Sequence, residues 1–231
     1  MTNFFIGITA IAGTFILYRL SKRIYRRKPS PFTMPIFLCT ASMVIFLSLT
    51  GISYETYMIG GQWIDLFLGP IVVSLAVPLY REIHLIKKYA GAIGIGIFAG
   101  SLTGVFTGIA GAKLLGFDDW LIQTVAAKSV TAPIAISITD TAGGNISLIA
   151  VFVMLAGVSG AMFGPVILKI CRIEHPIAKG LSIGTASHAI GTAKVLEDSE
   201  MEGAISALSM TLSAVVVSFL VPIFLLLFIT S

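Results

Sequence analysis

The sequence predicts an all-α polytopic membrane protein, and three observations lead to this fold class. Hydrophobic residues fill 56% of the 231 positions, whereas charged residues fill only 11%. A soluble domain carries about 25% charged residues, so this chain has too few charges to cover the surface of a globule of its size. The apolar residues also fall into runs of about 20 residues, which is the length that crosses a bilayer.

Six apolar runs are predicted to cross the membrane completely. A basic cluster follows the first run, and three prolines after it predict a stiff turn into the second. Pro70 and Pro78, which lie near Tyr80, predict structural breaks in the third run. The segment 53–62, rich in tyrosine, is predicted to be an external interfacial segment. The runs cover 3–20, 35–49, 63–80, 89–111, 146–170 and 204–229.

Positively charged loops favour the cytoplasmic side, and this rule sets the predicted topology. The cluster from Arg19 to Lys28 is the densest basic segment in the chain. We therefore expect it inside and the N-terminus outside. The first run lacks a basic region ahead of it, so we expect a retained helix rather than a signal peptide. We expect one integral membrane domain over 1–231.

Two weaker apolar segments, 120–142 and 176–196, are interrupted by polar residues. Lys169 and Arg172 place the end of the run 146–170 inside, so segment 120–142 must enter and leave on one side, as a re-entrant hairpin. The alternative is a broken helix that crosses fully, which would put these basic residues outside. Segment 176–196 is predicted to enter from the opposite face, which makes a weak inverted repeat typical of transporters.

Each interrupted segment is preceded by a helix with a glycine face. The first helix carries three overlapping GxxxG units, and the second carries one, at Gly160 and Gly164. Small residues at this spacing let another backbone come close. The first face consists of Gly96, Gly100, Gly104 and Gly108.

The first polar break is a candidate binding site. An ammonium at membrane depth costs about 2.5–3.5 kcal/mol, so Lys128 should face protein or water and meet a counter-charge. If a half-helix begins near Pro133, its free N–H groups lie beside Lys128, Ser129 and Thr131, an arrangement that suits a small carboxylate. The alternative is that Lys128 reaches an interface or pairs with Asp118, Asp119 or Asp140.

The second polar break adds further candidates. Imidazole titrates near neutral pH, so His188 is a candidate to donate to a carboxylate or to carry a coupled proton. A buried histidine with satisfied partners is the alternative. The other candidates in this break are Thr185, Ser187, Gly191 and Thr192.

Other function classes have little support. A net charge of +4 can indicate a nucleic-acid partner, but most basic residues here lie in short connections between apolar runs, so we expect none. The chain has no Ser/His/Asp spacing, HExxH, GxSxG, Walker loop or paired-cysteine motif, so we expect no enzyme, cofactor or metal. Cys39 and Cys171 are expected to be buried free thiols.

Three stretches of the sequence resemble the LrgB/CidB family: Leu68–Tyr80 (LGPIVVSLAVPLY), Lys128–Ala135 (KSVTAPIA) and Gly184–Ala193 (GTASHAIGTA). The match covers essentially the whole chain, and Tyr54–Gly61 (YETYMIGG) is more similar to the CidB branch. The resemblance implies an inner-membrane, antiholin-like protein that influences murein hydrolase export and autolysis with a small LrgA/CidA partner. It also implies transport, since relatives are linked to pyruvate, glycolate and glycerate.

The interrupted segments favour transport of small monocarboxylates such as pyruvate or a 2-hydroxy acid, coupled to a proton or a cation. The family's functional positions are matched in this chain by residues of the two polar breaks and by Pro70, Pro78 and Tyr80. The runner-up is an antiholin-like regulator, for which the glycine faces would be docking surfaces for a partner. A homo-oligomer, with a dimer as the simplest form, is also expected.

Overall fold

The protein is helical, as its composition predicts. A computed structural model describes residues 2–229, and within this range it contains only helices and their connections. Five helical stretches are long and apolar enough to cross a membrane, and the shorter helix α2 coincides with the second predicted run, 35–49. The chain is therefore an all-α, multi-pass membrane protein. The helices are α1 (Thr2–Arg27), α2 (Pro35–Thr50), α3 (Tyr54–Asp65), α4 (Leu68–Ser74), α5 (Ala76–Arg81), α6 (Ile83–Lys88), α7 (Ala90–Leu114), α8 (Asp119–Val125), α9 (Ala132–Ala142), α10 (Ile146–Ile170), α11 (Pro176–Asp198) and α12 (Glu200–Ile229).

The chain forms two compact units, Met1–Ser74 and Leu75–Ser231. In the first unit, α1 packs on α2 and α3. Gly60 of α3 meets the backbone carbonyl of Gly7, and the Thr14 hydroxyl lies 3.0 Å from the Tyr57 hydroxyl.

The prediction of an interfacial segment at 53–62 is therefore wrong. The segment forms most of α3, which begins at the Ser53 cap and packs on α1. Two glycines let the backbones of α1 and α3 approach, and Tyr57 finds a polar partner on α1 rather than in a headgroup layer.

Prolines divide the chain where the sequence predicts breaks. After α1, a short 3-10 turn at Pro31–Thr33 leads into α2, which begins at Pro35. The third predicted run is divided between α4 and α5, whose prolines are Pro70 and Pro78. Each lies in the first turn of its helix, where a missing N–H costs little.

The interrupted segment 120–142 folds back on itself, and we name α8, α9 and the turns between them hairpin 1. Just past the end of α9, the backbone N–H of Asn145 donates to the Thr124 hydroxyl at 2.8 Å, and Gly144 packs against the Thr124 backbone. A helix running in one direction would separate positions 124 and 145 by about 30 Å. The hairpin prediction is confirmed, and the fully crossing alternative is excluded.

The segment 176–196 also folds back, and we name α11 hairpin 2. Its backbone reverses at His188, which has a φ of 39° and a ψ of −135°. Ile183 before the reversal clusters with Val195 after it, although a straight helix would separate them by about 18 Å. Both arms pack on the start of α12, where Gly180 meets the Glu202 carbonyl.

The two hairpins enter the second unit from opposite ends of α7. The α7 glycines meet the hairpins in four contacts: Gly96 with Leu181, Gly100 with Thr185, Gly104 with Ser129, and Gly108 with Lys128. Going toward its tip, hairpin 1 contacts α7 first at position 108 and then at 104. Hairpin 2 contacts α7 first at position 96 and then at 100. The tips therefore approach each other, as the inverted repeat predicted.

Glycine at position 184 is required by the packing of hairpin 2 on α12. A Cβ there would collide with the Ser206 carbonyl oxygen and lie 2.9 Å from the Ser206 Cα. We expect Gly184→Ala to reduce the free energy of unfolding by about 1–3 kcal/mol, because a backbone has to move. Thermal unfolding in detergent, followed by circular dichroism, measures the loss.

Gly94→Ala is the matched control, because a Cβ at position 94 of α7 has nothing within 4 Å. Alanine is favoured over glycine in a helix by about 1 kcal/mol, so this variant should be at least as stable as the wild type. Equal melting temperatures for the two variants would contradict the packing described for hairpin 2.

Candidate functional site

A cavity of about 930 Å³ lies where the two hairpin tips approach α7 and α10. Hairpin 1 contributes Lys128 and Ser129, hairpin 2 contributes Thr185, and the glycine face of α7 forms one wall. The full lining is Gly96, Ala99, Gly100, Thr103, Gly104, Thr107, Lys128, Ser129, Phe152, Leu155, Ala156, Ser159, Gly160, Leu181, Ser182, Thr185 and Ala186.

Lys128 is the one charged side chain in this lining. Its ammonium donates to the Gly104 carbonyl at 3.1 Å and lies 3.1 Å from the position of a Cβ on Gly108. No carboxylate within residues 2–229 lies within 4.0 Å of it. The alternative of an ion pair with Asp118, Asp119 or Asp140 is therefore not found, and the ammonium keeps donors that an anion in the cavity can use.

Two hydroxyls face the same glycine wall. Ser129 Oγ and Thr185 Oγ1 lie 3.1 Å from the Cβ positions of Gly104 and Gly100. Thr185 donates to the Leu181 carbonyl at 2.9 Å, which leaves its oxygen able to accept. Lys128, Ser129 and Thr185 thus stand in order along α7, with about 6 Å of helix rise per four residues.

The predicted half-helix after the first break begins at Ala132 as α9, with Pro133 in its first turn. Thr131 occupies the cap position but makes no side-chain cap hydrogen bond. Neither Thr131 nor Pro133 belongs to the cavity lining, and Pro133 is exposed. The structure therefore places these two candidates beside the cavity rather than in its wall.

The candidates at the reversal of hairpin 2 are buried behind the lining. His188 donates from Nε2 to the Val153 carbonyl at 3.0 Å, and its ring packs on Gly157. Thr192 donates to the His188 carbonyl at 2.7 Å and meets the Ser206 hydroxyl at 2.8 Å. These contacts hold the reversal in place without reaching the cavity.

Ser187 and Gly191 also lie behind the lining. The Ser187 hydroxyl is buried against Gly160 of α10, and it has no hydrogen-bond partner in the described part of the chain. Gly191 packs on Ser187 and Ile183, where it lets the two arms of hairpin 2 meet.

Of the family positions outside the two polar breaks, Pro78 is buried in α5 and Tyr80 is 80% exposed.

Several lining residues were not identified from the sequence. Thr103 and Thr107 of α7, Ser159 of α10 and Ser182 of hairpin 2 all line the cavity. Three of them could have been found from the sequence, because each comes directly before a glycine of a GxxxG unit. Thr103 precedes Gly104, Thr107 precedes Gly108, and Ser159 precedes Gly160.

The glycine faces are covered from within the chain. The α7 glycines meet the two hairpins, and Gly160 and Gly164 of α10 meet Ser187 and Ile183. Gly96, Gly100, Gly104 and Gly160 also line the cavity, so the docking of a partner on these faces stays a prediction.

Cys171 is exposed at the end of α10, so the prediction of a buried thiol there is also wrong, whereas Cys39 is half-buried. Cys171 caps the C-terminal end of α10.

Within residues 2–229, no group of three or more His, Cys, Asp or Glu side chains converges to hold a metal ion.

The fold and the site define a multi-pass, all-α membrane protein in which the tips of two opposed hairpins frame an open cavity. Residues 14–227 match the model of the LrgB-like family. The chain belongs to this family, as the resemblance of the three sequence stretches predicted.

Individual relatives match over nearly their whole length. The chain is 42% identical to the uncharacterized protein YxaC of Bacillus subtilis over 96% of this chain and 97% of that protein. It is 35% identical to the holin-like protein CidB of Staphylococcus aureus over 99% of this chain and all of that protein. No solved structure matches the chain.

The buried hydroxyls of hairpin 2 should differ in their effect on stability. We expect Thr192→Val to reduce the free energy of unfolding by about 1–3 kcal/mol, because it leaves the His188 carbonyl and the Ser206 hydroxyl without a buried partner. Ser187→Ala removes a buried hydroxyl that has no partner among the described residues, so it should be neutral or stabilising. Thermal unfolding of both variants in the same detergent tests this difference, and a larger loss for Ser187→Ala would contradict it.

Proposed function

We propose that this protein transports small monocarboxylates such as pyruvate or a 2-hydroxy acid. The observation that carries the proposal is the Lys128 ammonium, which lines a cavity together with the Ser129 and Thr185 hydroxyls and has no carboxylate partner within residues 2–229. A buried cation is costly, and a binding site for an anion explains its presence. One ammonium matches one carboxylate, which favours monoanions.

The cavity residues recognise different groups of such a substrate. Lys128 neutralises the carboxylate through charge-assisted hydrogen bonds. Ser129 and Thr185 hydrogen-bond the carboxylate or the 2-keto or 2-hydroxy oxygen, because their hydroxyls both donate and accept. The two tips meet the same wall, so a small movement of either hairpin changes the access to the cavity.

The hairpin 2 reversal is the proposed place for ion coupling. His188 is the one titratable side chain in that reversal, and imidazole exchanges a proton near neutral pH. Its bond to the Val153 carbonyl links it to α10, which also lines the cavity. Thr192 holds the reversal through its hydrogen bonds to the His188 carbonyl and the Ser206 hydroxyl. A coupling cation is the alternative to a proton.

The cellular setting completes the proposal. The chain lies in the bacterial inner membrane with its N-terminus outside and the basic end of α1 in the cytoplasm. It works as a homo-oligomer, it catalyses no covalent reaction, and its transport is linked to the control of autolysis. The name of the holin-like relative CidB supports that last link.

Replacing Lys128 tests the proposal directly. We expect Lys128→Gln to reduce the uptake of labelled pyruvate and glycolate into proteoliposomes by at least about tenfold, because a charge-assisted hydrogen bond to the carboxylate is lost. Uptake is measured with and without a pH gradient. His188→Ala, measured beside it, should reduce the response to the gradient.

The matched control is Lys88→Gln, which removes an exposed lysine outside the cavity. It should transport like the wild type. Equal uptake by the Lys128→Gln and Lys88→Gln proteins, both well folded, would remove Lys128 from the site.

Thr185 should affect substrate affinity more than turnover. We expect Thr185→Val, which keeps the shape but removes the hydroxyl, to raise the KM about fivefold for pyruvate or glycolate while leaving the maximal rate within about twofold. Thr141→Val is the control, since Thr141 is an exposed threonine at the end of α9. Unchanged KM values in both variants would exclude Thr185 from substrate contact.

A second function is favoured by the relatives that are described as holin-like proteins. In this alternative, the protein is an antiholin-like regulator of murein hydrolase export and cell lysis that acts with a small LrgA/CidA-type partner. Uptake that requires the partner would assign transport to the complex. If well-folded protein shows no uptake of any monocarboxylate with or without the partner, the regulator becomes the preferred function.

A further inference from the structure

The basic end of α1 takes no part in the proposed transport site and has an ordered arrangement of its own. Five basic residues follow one another at intervals of three, one, three and one, which puts them on a single face of the helix. We name this set the basic face of α1. It consists of Arg19, Lys22, Arg23, Arg26 and Arg27.

The charge of the basic face is not neutralised by protein. The chain has no acidic residue before Glu55. In the described part of the chain, no ion pair involves α1. Arg19, Arg23, Arg26 and Arg27 are exposed, so their guanidinium groups are open to a ligand.

Apolar side chains continue the basic face toward the middle of α1. A shallow, open cleft runs along the surface of α1, and its lining residues all belong to this helix. They include both Phe15, Ile16 and Tyr18 and the basic residues from Arg19 to Arg26. The Arg19 guanidinium lies 5.0 Å from the centre of the Phe15 ring. A ligand that fills this cleft must present an apolar part next to an anionic part.

The length of α1 places that boundary at a membrane surface. Its 26 residues span about 39 Å, whereas the hydrocarbon core is about 30 Å thick. A helix that begins in the apolar layer therefore brings its last two turns to the level of the headgroups. Aromatic side chains followed by arginines are the side chains that favour this level.

We propose that the basic face of α1 is a binding site for an anionic phospholipid, with acyl chains along Phe15 and Ile16 and the phosphate on Arg19, Arg23 and Arg26. Guanidinium groups bind phosphate through paired hydrogen bonds. Clustered basic residues at the end of a membrane helix attract anionic lipid. This inference is independent of the proposed transport.

Native mass spectrometry of the purified full chain in detergent, titrated with phosphatidylglycerol or phosphatidylcholine of equal chain length, tests the site. The wild type should retain phosphatidylglycerol in preference, and more weakly at high ammonium acetate. The variant R19Q/R23Q/R26Q should lose on the order of tenfold in phosphatidylglycerol affinity, because each basic residue contributes to the attraction. R19K/R23K/R26K, which keeps the charge, should recover most of it.

A variant with the same change of charge elsewhere is the control. K87Q/K88Q/K169Q removes three exposed lysines from the second unit and should bind phosphatidylglycerol like the wild type. Helical content measured by circular dichroism shows that each variant is folded. Equal losses in this control and in R19Q/R23Q/R26Q would overturn the assignment to α1, as would wild-type affinity in R19Q/R23Q/R26Q.

Competitors distinguish a lipid from other anions. Inorganic phosphate should not displace phosphatidylglycerol, because it lacks the apolar part that the cleft requires. Displacement by inorganic phosphate would assign the face to a soluble phosphate. Displacement by polyglutamate would assign it to an acidic protein segment. Either result would overturn the lipid proposal.

Discussion

The close approach of two hairpin tips to glycine faces is the constraint on which the second unit depends. Side chains on α7 would fill the space that Ser129 and Lys128 of hairpin 1 and Thr185 of hairpin 2 now occupy. Because no Cβ stands between them, the polar tips meet helix backbone directly, and the Gly104 carbonyl becomes the acceptor for Lys128. Glycine faces commonly join two apolar membrane helices, and here they contact polar hairpin tips instead.

In hairpin 2, the residue that lines the cavity and the residue that packs on α12 lie on different sides of the tip. One side of its tip presents Thr185 to the cavity, and the other buries Thr192 against Ser206 of α12. His188 lies between these two sides and is held by the Val153 carbonyl of α10. Its unusual backbone conformation therefore lies at the point where hairpin 2 contacts both α10 and α12.

Family membership and the site geometry lead to different parts of the functional conclusion. The match over residues 14–227 establishes the LrgB-like family, and the names of its relatives point to lysis control. The cavity, with an ammonium and hydroxyls on opposed hairpins, is the reason for proposing a carried anion. A carrier whose substrate flux alters the cell's response to lysis signals would account for both.

The sequence by itself determined the fold class, the positions of the long helices and the break at Lys128, because hydropathy and prolines are local signals along the chain. It left open whether segment 120–142 is a hairpin or a crossing helix, which the contact between Asn145 and Thr124 decided. It did not show that α3 packs on α1, that the glycine faces are filled from within, or that His188 and Thr192 lie behind the cavity while Thr103 and Thr107 line it. Only the tertiary structure decided these points, because which side of a polar segment faces a cavity depends on the helices packed around it.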